Sequence, residues 1–308
     1  MNAPDRHVAI VIVTFNSHGT VGPTLAAARR AVEQGLAQCT LVDNRSSDET
    51  PLLLEQQSDW ATVILSDSNA GFGKGCNMGW KGAVAPYTLF LNPDAVIEPD
   101  QLQNMVDYLE RNPRVGILGP ATVFEGDDGR TVLQITGDRP TPMSIVSEAL
   151  PYAGTHLRRR DIVPGGAPFR TGWVCGAVFL IRTELLRKLD GFDPTFFLYW
   201  EETDLCARAE SLGYEVWASG LAYASHIGGA SSSAGENKIH GCITKHFYQS
   251  RRYYMKKHHG WVLATAAELT EFLLLTLRDL IDLAAGRRPT RLRLRFQAPL
   301  FSEPTGLP

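Results

Sequence analysis

The stretch VAIVIVTF, residues 8–15, is apolar or β-branched at every position and stops at NSHG. A strand with one wet face alternates apolar and polar residues. An unbroken run fits a strand buried on both faces, as in a parallel sheet covered by helices. The flanking sequence repeats the pattern. TVGPTLAAARRAVEQG has helical spacing and stops at Gly35, and CTLVDN (39–44) is a second buried strand. SSDETPLLLEQQS opens a helix with Ser and Asp capping chemistry, and ATVILSD (61–67) is a third strand. A glycine-rich loop, NAGFGKGCN, leads into the helix MGWKGAVA. YTLFLNPDA (87–95) is a fourth strand halted by Asn-Pro-Asp, before the helix PDQLQNMVDYLERNP. This alternation predicts an α/β fold with a mostly parallel, doubly wound sheet flanked by helices.

Such sheets bind ligands beyond the carboxyl ends of their strands. Asn16, Asp43, Asn44, Asn69 and Asp94 all fall at predicted strand ends. Singly each is an ordinary turn residue; together they predict a polar ligand site. The glycine-rich loop lacks both the GxGxxG and the GxxxxGK[ST] spacing, so a Rossmann oxidoreductase is a poor fit. A glycine turn placing backbone N–H groups and Asn77 near a diphosphate remains. In LNPDA, Asp94 ends the strand with Asn92 two residues earlier on the same face. A divalent ion on a diphosphate needs only one or two protein oxygens; the other reading is an Asx turn. His226, closing a strand before a Gly/Ser loop, is either structural or a further metal ligand or diphosphate contact.

Beyond residue 115, VGILGPATVF and RTVLQITG suggest strands, and 138–170 reads as a connector. TGWVCGAVFLIR is a strand entering the helix TELLRKL, which closes at Asp190-Gly191. FLYWEETDLCARAE (197–210) puts Glu201, Glu202 and Asp204 in a first helical turn, where the helix dipole favours acids; Asp204 can pair with Arg208. GYEVWASGLAYASHIGGASSS supplies one or two more strands and a loop. The domain expectation is a catalytic domain over 1–235, in two halves (1–115 and 116–235), then a helical extension over 236–308.

A net charge of -3 argues against nucleic-acid binding, which usually needs a basic face. Five scattered cysteines without a CxxC pair exclude a disulfide framework or zinc ribbon and fit a reducing cytosol. The first residues carry no signal-peptide pattern, and the apolar region LTEFLLLTLRDLIDLAAG is broken by too many charges for a spanning helix. The basic-aromatic HFYQSRRYYMKKHHGW, the amphipathic segment after it, and Arg287, Arg288, Arg291, Arg293 and Arg295 predict membrane-surface attachment through 262–296. A packing or dimerisation helix, and hence a homodimer, is the alternative.

VIVTFN, LVDNRSSDET, SNAGFGKGCNMG, LNPDA, GAVFLIRTELLRKLDGFDPTFFLYWEETDLCARAESLGY and SHIGGAS occur in order over residues 8–230. As a set they resemble glycosyltransferase family 2, and within it rhamnosyltransferase-like enzymes of bacterial surface polysaccharide assembly. The resemblance implies a GT-A fold that binds a nucleotide-diphosphosugar and inverts the anomeric centre. It implies that Asp43 reads the pyrimidine base and that Thr14, Phe15 and Asn16 contact the nucleotide. Asn44, Asn69, Gly71 and Asn77 would line the same site. The metal-binding DxD-type motif falls on Asn92-Pro93-Asp94, with Asn in place of the first Asp, and implies Mg²⁺ or Mn²⁺. The ED motif falls on Glu201-Glu202, making Glu202 the general base, one methylene longer than the family's Asp. Trp173 and Gly176 fall with the acceptor-side residues, where Trp173, Phe197, Tyr199 and Trp200 form either a sugar-stacking wall or core.

The function so implied is transfer of rhamnose from dTDP-rhamnose to a glycan or polyprenyl-diphosphate-linked acceptor, at the inner face of the plasma membrane. A UDP-sugar donor is the alternative. A nucleotidyltransferase would need a Gly-rich basic loop straight after the first strand, which TFNSHGTVG lacks; a non-catalytic binder would hold nucleotide without turnover.

Overall fold

The computed structural model describes residues 7–125, 131–133, 135–150, 160–226, 238–288, 292, 295–296 and 298–304. The run that opens the chain forms strand β1 (Val8–Thr14), buried at every residue. Successive strand side chains point to opposite faces. Val8, Ile10 and Ile12 accordingly join one core, and Val11 and Val13 the other. The predicted alternation follows as α1 (Gly22–Glu33), β2 (Ala37–Asp43), α2 (Thr50–Glu55), β3 (Thr62–Leu65), α3 (Phe72–Trp80) and β4 (Tyr87–Leu91). β1 lies between β2 and β4, parallel to both, and β3 adds in parallel to β2 as the outer strand.

The chain continues through β5 (Ala95–Val96), α4 (Pro99–Arg111), β6 (Val115–Glu125), β7 (Thr131–Leu133) and β8 (Ile135–Thr136). Then come α5 (Pro142–Ala149), β9 (Arg160–Asp161), β10 (Phe169–Arg170), β11 (Val178–Arg182), α6 (Thr183–Lys188) and α7 (Glu201–Ser211). β12 (Glu215–His226), α8 (Lys238–His259) and α9 (Trp261–Ala284) complete the order. The main sheet runs β10-β12-β6-β11-β4-β1-β2-β3, with β5 on β12 and β7 on β6; β8 and β9 pair separately. β11 inserts antiparallel between β4 and β6. The two expected halves therefore share one mixed sheet. The 235/236 boundary lies outside the described residues.

Several expectations are corrected. The fourth strand ends at Leu91 and residues 92–94 form a turn, so Asn92 and Asp94 do not share a strand face. The proline supplies the break, having no N–H for the ladder. The helix after β3 starts at Phe72, not after the glycine-rich stretch. Gly75 and Gly79 lie within α3, and a Cβ on either would come within 2.7 Å or 2.4 Å of a Val13 or Val11 methyl on β1. These glycines serve close helix–strand packing. α2 has Glu49 at its N-cap with no side-chain cap bond; Asp48, just before it, accepts from the Thr50 N–H at 3.0 Å. Residues 171–177 are not a continuation of β11; the Thr171 N–H donates to the Val216 carbonyl of β12, and Trp173 forms an isolated bridge with Gly137. The supposed connector 138–170 contains α5, capped by Thr141 and Ser144 in a reciprocal box.

The helical extension packs on the preceding part of the chain through Phe196, Ala207, Tyr254, Met255 and Ala264, with Ile145 of α5. Several basic residues of α8 are paired internally. Arg251 pairs with Glu271, Arg252 with Glu268, and Lys257 with Asp193 and Asp204. Arg295, expected in a surface cluster, is fully buried between Glu268 and Glu271. α8 is thus a packing helix, because acids on α7 and α9 face it; Arg291 and Arg293 lie outside the described residues. No helix among the described residues is long and apolar enough to cross a membrane.

Candidate active site

The carboxyl ends of β1, β2 and β3 are laced into one surface. Thr14 Oγ1 donates to Asp43 Oδ1 at 3.2 Å, and Asp43 Oδ2 accepts from the Ser46 N–H at 2.8 Å. Asn16, in the left-handed region at φ 51°, accepts from the Ser47 N–H at 2.7 Å. Asn44 donates to Asn69 Oδ1 and the Gly71 carbonyl and accepts from the Ala70 N–H. Thr14, Asp43 and Asn44 are buried, while the Phe15 ring stands out at 40 % exposure. The strand-end polar residues thus build the loops, and Phe15 and the loop backbone form the surface they present.

Gly71 joins this surface to the acid-bearing segment. At φ 87° its backbone passes so close to Phe197 that an added Cβ would sit 2.2 Å from the Phe197 carbonyl oxygen. The next N–H, of Phe72, donates to that same carbonyl at 3.0 Å. Phe197 itself is buried and stacks on His246, which answers core rather than sugar contact. Asn77 is likewise structural. Its amide donates to the Phe192 carbonyl and accepts from the Phe192 N–H and Trp80 Nε1, tying α3 to the Gly191 turn.

Tyr199 and Trp200 both adopt positive φ, 67° and 72°, immediately before α7. Consecutive non-glycine residues in this region cost energy and persist where surrounding structure imposes them. Trp200 is held against Phe247 and Tyr254 of α8. The twist separates the three acids that follow. Asp204, fully buried, accepts from Arg208 at 2.7 Å and faces His258 and Lys257, each at 2.8 Å. Burial opposes its ionisation, but His258, Arg208 and Lys257 outweigh that and hold its carboxyl below the usual range. Asp204 is the structural acid.

Glu201 turns inward against α3, its Cβ 3.6 Å from where a Cβ on Gly73 would lie. Its Oε2 is buried with no hydrogen-bond partner among the described residues. Burial first, and Glu202 second, push its carboxyl well above the ordinary range. Glu202 instead opens onto a cavity of about 210 Å³, with Trp173, Tyr199 and Trp200 from one side and Pro140, Ser144, Phe247 and Arg251 from the others. No neighbouring side chain is hydrogen-bonded to its carboxylate among the described residues. Desolvation pushes it up to about 7. Gly176 lies beside it: a Cβ there would make an ordinary contact of 3.7 Å with the Glu202 carboxyl carbon.

The Asn92–Asp94 turn adjoins this cavity through the backbone, since the Asn92 N–H donates to the carbonyl of Ala177, the residue after Gly176. Thr24 Oγ1 pins the turn from below at the Pro93 and Ala95 carbonyls. β12 pairs with β5 so that His226 lies opposite Ala95, and His226 Nε2 comes within 3.1 Å of buried Asp94 Oδ1. One carboxylate and one imidazole suit a divalent ion whose other ligands come from a diphosphate and water. No group of three or more His, Cys, Asp or Glu side chains that could hold a metal ion occurs among the described residues. A larger cleft of about 610 Å³ lies at the other end, before β1 and β2, where Arg30 is spent on Glu98. It holds none of these residues.

Sequence reasoning missed Ser144, Phe247 and Arg251 as cavity residues. The Thr141-Pro142 helix start was the available signal for the first; the other two become visible only when α8 docks.

A family model described as Glycosyl transferase family 2 matches residues 9–187. The chain is 26 % identical over 223 residues to the N-acetylglucosaminyl-diphospho-decaprenol L-rhamnosyltransferase of Mycobacterium tuberculosis, covering 67 % of this chain and 71 % of that one. It is 26 % identical over 185 residues to the rhamnosyltransferase WbbL of Escherichia coli, 56 % of this chain and 66 % of that one. GalNAc-T7, solved with UDP, GalNAc and Mn²⁺, superposes with a TM-score of 0.57 at 16 % identity, over 85 % of this chain and half of the other. Staphylococcus aureus TarS 1-349 gives 0.51 at 16 % identity, over 93 % and 89 %. The fold is that of the GT-A glycosyltransferases.

Proposed function

The chain belongs to glycosyltransferase family 2, and from that premise we propose that it transfers rhamnose from dTDP-rhamnose to a polyprenyl-diphosphate-linked or growing glycan acceptor. The supporting relatives are rhamnosyltransferases, one of them named for a decaprenol-linked acceptor. The observation that carries the reading is the Glu202 carboxylate in an aromatic cavity, bonded to no side chain among the described residues and joined through Gly176 and Ala177 to the Asn92–Asp94 turn.

In this reading the donor nucleotide lies over Phe15 and the loops of Thr14, Asn16, Asp43, Asn44, Asn69 and Gly71. The acceptor sugar lies against Trp173 and Tyr199. Glu202 takes the acceptor hydroxyl proton as that oxygen bonds to the anomeric carbon. The bond to the diphosphate breaks on the opposite face, inverting the centre. Asp94, with His226, would hold Mg²⁺ or Mn²⁺, which when bound offsets the diphosphate charge. The protein works at the inner membrane face, where a polyprenyl-linked acceptor is found.

A thermal-shift screen of dTDP-rhamnose and UDP-sugars with Mg²⁺ or Mn²⁺ tests this, since a ligand that binds only the folded state raises the melting temperature. The expected result is a metal-dependent rise with dTDP-rhamnose that Asp94→Ala abolishes. A larger rise with a UDP-sugar reassigns the donor, and a rise unaffected by Asp94→Ala removes Asp94 from the metal site.

A further inference from the structure

α9 is built inside out. Its acids Glu268, Glu271 and Asp279 are buried, engaged with Arg252, Arg251, Arg295 and the Leu292 N–H. Its apolar residues face outward: Leu269, Leu273, Leu277, Leu280, Ile281 and Leu283 are 44–66 % exposed. At 3.6 residues per turn these six fall within about 160° of arc, along a helix of 24 residues, or about 36 Å. No charged residue lies within that arc. Trp261, 67 % exposed, begins the helix, and the exposed Arg287 and Arg288 follow its end.

We propose that this face of α9 seats the protein on an anionic bilayer, with the helix in the interface plane and its leucines at the boundary between headgroups and acyl chains. The assignment deepens the reading above, on which it rests only for the identity of the acceptor. Two features select a bilayer over a second copy of the chain. A two-helix seam needs a narrower stripe flanked by charges that pair across it, whereas this stripe is wide, takes in Ala266, Thr270 and Ala284, and is bordered by Phe272 and Leu274. The charge distribution also suits anionic headgroups, because the helix acids point inward while basic residues lie at the exposed end. α5 links this surface to the chemistry. Its Ser144 and Ile145 line the Glu202 cavity, and its Ala149 carbonyl accepts from Arg278 of α9 at 2.8 Å. A glycan carried on a membrane lipid then has a short path to Glu202.

The test is co-sedimentation of the full chain with phosphatidylglycerol/phosphatidylethanolamine vesicles, without substrate, alongside sedimentation velocity in buffer. The wild type is expected to bind. The triple variant Leu273→Glu, Leu277→Glu, Leu280→Glu is expected to lose roughly tenfold or more in bound fraction while keeping its thermal melt and its transfer to a soluble acceptor. Unchanged vesicle binding by the folded triple variant overturns the proposal. So does a wild-type dimer that the triple variant dissociates while neither form binds vesicles, which assigns the face to a second copy. Binding of vesicles by a protein that transfers no sugar refutes the transferase reading alone.

Discussion

Glu202 and Asp204 sit two residues apart in one helical turn and face opposite chemical environments. Asp204 meets Arg208, Lys257 and the His258 ring, which hold its carboxyl below the usual range; Glu202 meets aromatic rings and is pushed up to about 7. A general base acts in its deprotonated form, so raising its pKa makes transfer rise as pH climbs towards 7 and level off above it. A pH profile of kcat/KM on saturating metal checks this. Glu202→Gln removes the proton acceptor without changing the side chain's size. Transfer is expected to fall by about 10²–10⁴-fold with donor binding retained, measured by initial rates and thermal shift side by side. Asp204 is excluded as a substitute base by its burial against Arg208, Lys257 and His258. The sequence already indicated the Asp204–Arg208 pair, because spacing of four on a helix is a local property. It did not indicate that Glu201 turns away from the cavity, since that depends on two left-handed residues before the helix and on the α8 side chains that hold them.

Among the elements, the turn from β3 into α3 couples donor loops to the acid segment. Gly71→Ala forces a positive φ on alanine and drives its Cβ into the Phe197 carbonyl. Backbone cannot yield as a side-chain tip does, so a loss of about 1–3 kcal/mol is expected, read as a lower midpoint in urea unfolding, together with weaker nucleotide binding. The four parallel strands and their helices were legible because β-branched runs and helical spacing are short-range signals. α5 was not, since its eight residues sit in a Pro- and Gly-rich stretch and gain stability from packing on α9. The glycines of α3 illustrate the same limit. Their number suggested a loop, yet two of them are small because β1 runs beneath the helix.

For the molecule as a whole, a buried ion network ties α8, α9 and the C-terminal segment together. Arg295→Ala leaves Glu268 and Glu271 with one cation each, Arg252 and Arg251. Removing one partner from a buried ionic cluster costs about 3–5 kcal/mol. Limited proteolysis is expected to release the region beyond 260 first while the sheet survives. Residues in sequence order determined the strand–helix alternation and the polar strand ends, and motif order determined the expected family. Local pattern suffices for those, because they follow from which residue neighbours which. Tertiary structure alone decided which of two adjacent glutamates faces the cavity, that Asp94 meets His226 across 132 residues, and that the basic helix α8 is spent on packing while α9 turns its leucines outward. Each of these depends on what a distant segment presents, and burial and pairing between segments are settled only when the chain has closed on itself.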